Sequence, residues 1–203
     1  MAVIQSGNSP VELTIDNTSN AARVSNYDNR GNFTGLKASY SASTVLKTAT
    51  AAGTGVFASI FGSATKIVRV HRIIVCGTCA TAAVYGDIIV KKMSAIGTGG
   101  TPVELVQVPK DSISGAGTAS RVFYYTTLGT AGTLVGTVAA QQIFLPITGT
   151  PAVDVKPVVF DWTAQGMNEA PVLRGTGEGL ELNFGTTTAN APTLTVTFEY
   201  SEE

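Results

Sequence analysis

Near the C-terminus the chain alternates strictly: Leu194, Val196, Phe198 and Tyr200 are apolar, while Thr193, Thr195, Thr197 and Glu199 are polar. A period of two sends the two sets to opposite faces of a strand, so this stretch predicts a half-buried antiparallel strand. Leu180, Leu182 and Phe184 repeat the pattern against Glu181 and Asn183. Between Leu173 and Leu180 lie Gly175, Gly177 and Gly179, which supply positive φ or a bulge and predict a tight turn.

From Val56 onward, β-branched and aromatic runs alternate with Gly, Pro, Asn and Thr clusters. They predict strands at Val56–Phe61, Lys66–Cys76, Ala83–Met93, Val103–Val108, Ser120–Thr127, Leu134–Phe144, Val153–Trp162, Pro171–Arg174, Gly179–Phe184 and Thr193–Tyr200. Short strands joined by turns, without helical periodicity, predict an all-β domain over residues 56–203, an antiparallel β-sandwich of jelly-roll-like type. An immunoglobulin-like topology is the alternative for the same strands. No repeat period of the kind that marks a propeller or solenoid is present.

Residues 1–55 have a different texture, rich in Asn, Ser, Thr, Ala and Gly. Only Val11–Ile15 alternates, with Val11, Leu13 and Ile15 on one face. The region predicts an extended N-terminal arm and a linker, with a short helix around Ser43 to Ala52 as the alternative for the linker.

Charge changes the picture. Charged residues make up 13% of the 203 residues, about half the roughly 25% usual in soluble domains. Either short hydroxyl side chains cover the surface, or neighbouring subunits do, and the second reading is favoured. The 13 basic residues are scattered, the formal net charge is −1, and no apolar run reaches membrane-spanning length. Nucleic acid and membrane are therefore not expected partners. The first ten residues lack the charged and apolar regions of a secretory signal, so synthesis in the cytoplasm is expected.

Candidate chemistry is sparse. Cys76 and Cys79 form a CxxC, but there are no other cysteines and one histidine, His71, too few ligands for a structural zinc. They are read as a strand-end pair without a catalytic role, with a local disulfide as the alternative. No GxSxG elbow accompanies the serines, the carboxylates are spread singly, and Gly97–Thr101 lacks the Lys-Ser/Thr of a phosphate loop. No catalytic residue, metal site or cofactor is expected. In Val122–Tyr125, Phe123 and Tyr125 share one face and Tyr124 takes the other; the outward ring would meet a sugar or, as favoured, a neighbouring subunit.

The N-terminal Asp16–Ser25 with Gly31–Phe33, the stretch Thr65–Val75, and the C-terminal Pro171–Gly175 with Glu178–Leu180 resemble tailed-bacteriophage virion proteins. The resemblance implies a non-enzymatic capsid decoration or cement protein with a jelly-roll-like domain, commonly a homotrimer on the capsid surface. Its partners would be itself and the major capsid protein or another virion protein, and its location the virion, assembled in the host cytoplasm. The arm residues Val11, Leu13 and Ile15 would anchor it. The alternative function is a head or tail fibre module that recognises a host surface glycan; a carbohydrate hydrolase is the weakest reading.

Overall fold

The computed structural model describes residues 38–44, 53–112, 119–149, 156–163, 170–185 and 191–203, with the backbone of three short strands outside those ranges. The chain divides into two units, Met1–Lys37 and Ala38–Glu203. In the first, β1 (Leu13–Ile15) pairs antiparallel with β2 (Ala22–Val24). β1 falls within the expected strand. Val11 and most of the expected arm lie outside the described residues.

The second unit is a sandwich of two sheets. Sheet I has the order β11 (Thr133–Leu145), β7 (Val84–Ala95), β14 (Gly179–Phe184), β5 (Val56–Phe61), β10 (Arg121–Gly129), β8 (Pro102–Glu104). Sheet II has the order β12 (Val158–Asp161), β6 (Ile67–Cys79), β15 (Pro192–Glu202), β3 (Ala38–Ser43), β9 (Gln107–Pro109). Two short strands join sheet II, β13 (Val172–Arg174) beside β6 and β4 (Thr48–Ala49) beside β15. All of these pairings are antiparallel.

The topology is a jelly roll. Setting aside β4, β13 and the inserted β8–β10 segment leaves β3, β5, β6, β7, β11, β12, β14 and β15. Sheet II then holds the first, eighth, third and sixth of these, and sheet I the second, seventh, fourth and fifth. That interleaving is two Greek keys wound together, which excludes the immunoglobulin-like order.

Three expectations change. The linker contains β3, which lies inside sheet II between β15 and β9, so the boundary falls after Lys37 and not at residue 55. Tyr40 and Ala42 supply its buried face, and Tyr40 stacks on Tyr200 with ring centroids 5.6 Å apart. Its serines and alanines are too small to make the alternation visible. The described part of the expected helix is extended, since β4 pairs with β15. The single strand expected at Val103–Val108 is two, β8 and β9, which belong to different sheets and are joined across the side of the sandwich by Leu105 and Val106.

The core fills the gap between the sheets. Phe57, Ile60, Ile88, Leu180, Leu182 and Phe184 from sheet I meet Val68, Ile73, Leu194, Val196, Phe198 and Tyr200 from sheet II. β15 follows the expected alternation, its apolar residues buried and its threonines half-exposed. β5 and β14 do not, because every residue of both is buried. Something covers the outer face of sheet I.

Candidate interaction surfaces

The cover comes from two turns. The β7–β8 connection and the β10–β11 turn bridge each other through Thr98 and Thr130, whose backbone N–H and C=O groups exchange bonds of 3.1 and 2.8 Å. Both turns are held to the sheet by Glu181 of β14, whose carboxylate accepts from the backbone N–H of Gly97 at 3.2 Å and of Gly132 at 3.2 Å. Neither glycine tolerates a side chain: a Cβ at Gly97 would meet the Thr130 carbonyl at 2.2 Å, and one at Gly132 the Ala95 carbonyl at 1.9 Å. Burial raises the Glu181 carboxyl above its ordinary range, with the two glycine N–H groups and Lys91 pulling the other way.

Beside this clamp, Phe61, Phe123 and Tyr125 wall a pocket of about 440 Å³ with Ile96 and Pro102, and Arg121 stands at its edge. Arg121 is already engaged. It donates to Glu104 through Nε at 3.2 Å and Nη2 at 3.0 Å, and its guanidinium lies 4.7 Å from the Phe123 ring centre. The Tyr125 hydroxyl and Ser59 Oγ are 3.2 Å apart. Of the aromatic stretch singled out in the sequence, Tyr124 is the core residue. The outward ring expected to meet a partner is therefore a pair, Phe123 and Tyr125, sheltered under the turns.

The outer face of sheet II is open and ionic. Asp161 of β12, Arg72 of β6, Glu199 of β15 and Lys110 after β9 form a charge ladder, with contacts of 2.8 Å (Asp161–Arg72), 3.4 Å (Arg72–Glu199) and 2.9 Å (Glu199–Lys110). The Thr163 hydroxyl and N–H, with the Arg72 guanidinium, pull the Asp161 carboxyl down to about 2. His71 sits where β6 bulges against β15, since Glu199 pairs with Arg72 and Tyr200 with Val70. Its Nε2 lies 2.9 Å from Ser201 Oγ.

Cys76 and Cys79 are free thiols, and the alternative of a local disulfide is not met. Both belong to β6, where three residues of extended chain span roughly 10 Å, beyond the ~7 Å limit for a bridge. They also point to opposite faces. Cys79 is buried in the core, and burial pushes its thiol up, leaving it an inert apolar side chain. Among the described residues no cluster of three His, Cys, Asp or Glu side chains is placed to hold a metal ion.

What remains are the two lateral edges of the sandwich, which periodicity could not locate because strand order decides which strands are outermost. One edge is the β8–β9 crossing, with Val103, Val106 and Val108 exposed, Val106 to 75%. The opposite edge is β11, with Leu134, Val135 and Val138 exposed, Val135 to 62%. β11 lies inside a run from Val122 to Val153 that carries no charged residue. Towards its C-terminal end a second cavity, about 450 Å³, opens between β11 and the start of β12. Searches of family models, curated proteins and solved structures find no match to this chain.

Proposed function

We propose that this chain is a non-enzymatic assembly subunit, of the kind that decorates and cements a virion capsid. The observation that carries the reading is the apolar, charge-free edge strand β11, opposite the edge at the β8–β9 crossing where Val103, Val106 and Val108 are exposed. An edge strand with exposed valines and no charge is an invitation to association, which proteins that stay monomeric blunt with lysine or proline. Because the two edges differ, copies associate head to tail, β8–β9 of one against β11 of the next. Such a contact builds a ring where the rotation between copies closes and a filament where it does not, and the ring is the closed case proposed here. This supports the homotrimer that the resemblance implies.

In this reading the N-terminal unit attaches the ring, through Val11, Leu13 and Ile15, to the major capsid protein or another virion protein. The test is direct. Light scattering on the purified chain is expected to give a trimer that Val135→Lys and Val106→Lys each convert to monomer, with the melting transition of the domain retained. Co-sedimentation with capsids is expected to fail when residues 1–20 are removed. A monomer at all concentrations that also leaves capsids unbound overturns the proposal.

A further inference from the structure

The cavity at the C-terminal end of β11 has a chemistry unlike the apolar edge beside it. Tyr85 of β7 and Phe144 of β11 face each other across the ladder, ring centres 4.9 Å apart and planes tilted by 42°. Tyr85 is 65% exposed, so this aromatic pair is offered to solvent and not to the core. Gln141 and Gln142 are both exposed, although consecutive residues of a strand point to opposite faces; β11 is the outermost strand, so both sides of it are open there. Lys156 completes the rim, and it makes no ion pair among the described residues. The floor is apolar, built from Ile143 and Val158.

We propose that this groove binds a saccharide bearing carboxylates, a hexuronate-type glycan. Each part of the ligand has a counterpart. The C–H face of a pyranose ring carries slight positive charge and settles on the negative face of an aromatic ring, here Tyr85 or Phe144. Vicinal hydroxyls need donor and acceptor together, which a carboxamide supplies, and Gln141 and Gln142 present one from each side of the edge strand. The exposed Lys156 ammonium complements the ligand carboxylate and selects acidic over neutral sugars. Asp87, opposite Gln142 in the ladder, does not line the groove. The volume lies within the range of sites for small ligands, and the mixture of apolar floor and few polar groups is what such sites share.

The inference is independent of the assembly reading, because the exposed apolar stretch Leu134–Val138 and the groove residues Gln141–Phe144 occupy different ends of β11. The experiment is calorimetric titration of the full chain with tetrasaccharides of galacturonate and of mannuronate, and with the methyl ester of the first. Saturable binding of at least one acid form is expected, about tenfold weaker for the ester and about tenfold weaker in Tyr85→Ala, with Lys156→Gln weaker by several-fold. Both substituted side chains are exposed, so the melting temperature is the control for folding. Failure of both acid forms to bind overturns the proposal, as does equal affinity for the ester. Binding indifferent to Tyr85→Ala overturns it too. If Tyr85→Ala changes the size of the oligomer and leaves titrations flat, the groove is an interface between copies, and the proposal falls while assembly stands.

Discussion

The two sheets of this sandwich share a core but treat their outer faces in opposite ways. Sheet II leaves its outer face to water, covered by serine and threonine hydroxyls and by the ladder from Asp161 to Lys110. Sheet I buries its outer face under two glycine-bearing turns, with Glu181 as the clamp. A jelly roll needs only one buried face per sheet; a second buried face makes β5 and β14 the interior of a three-layer stack. The difference shows that the inserted segment between β7 and β11, and not the jelly roll itself, creates the covered aromatic pocket.

The largest test of that contrast is a pair of truncations on the two outer faces. Phe61→Ala, beneath the turns at 4% exposure, is expected to lower stability by about 3–5 kcal/mol in urea unfolding, the range for emptying a packed aromatic site. Ile74→Ala on the half-exposed outer face of sheet II is expected to lose much less, about 1 kcal/mol, because less apolar surface returns to water. Equal losses would mean that the turns do not pack as a layer.

Next in size is the clamp. Glu181→Ala leaves the half-buried N–H groups of Gly97 and Gly132 without this acceptor, an expected loss of about 1 kcal/mol per donor. Hydrogen exchange at those two amides should accelerate more than at Val68 or Val196 in sheet II. Uniform acceleration would place Glu181 in the global fold and not in a local latch.

The smallest effects are in pH, and here the faces carry opposite signs. The folded-state carboxyl of Glu181 is raised above its ordinary 4.5, so its contribution is full below that value and declines as pH rises through the raised value. Asp161 is lowered from 3.8 to about 2, so its contribution is full above 3.8 and declines as pH falls toward 2. Denaturation midpoints against pH should therefore lose their decline above 4.5 in Glu181→Gln and part of their acid decline in Asp161→Asn. A wild-type slope in either variant would break the assignment for that face.

How much of this was readable in advance depends on the covering of each strand. The ten expected strands from Val56 onward fall on real strands with ends mostly within one to three residues, except that Val103–Val108 is split in two and the strand within Val153–Trp162 begins only at Val158 among the residues described from 156. β3 escaped notice because Tyr40 is the only bulky residue on its buried face. The sequence did mark Phe123 and Tyr125 as sharing a face, but nothing local says that turns from elsewhere will cover them. Tyr85, Gln141, Phe144 and Lys156 gave no signal at all, since they converge only through the β7–β11 pairing and the return of the chain at β12.

Periodicity and composition, then, determined that the chain is all-β, where most strands run, and that its surface is poor in charge. Those are properties of neighbours along the chain, where alternation of side-chain direction acts within a few residues. Strand order, the buried clamp at Glu181, the separation of Cys76 from Cys79 across one strand, and the identity of the exposed edges were decided by the tertiary structure. They depend on which distant segments hydrogen-bond side by side, and in a jelly roll those partners are set by the closure of two sheets over one core.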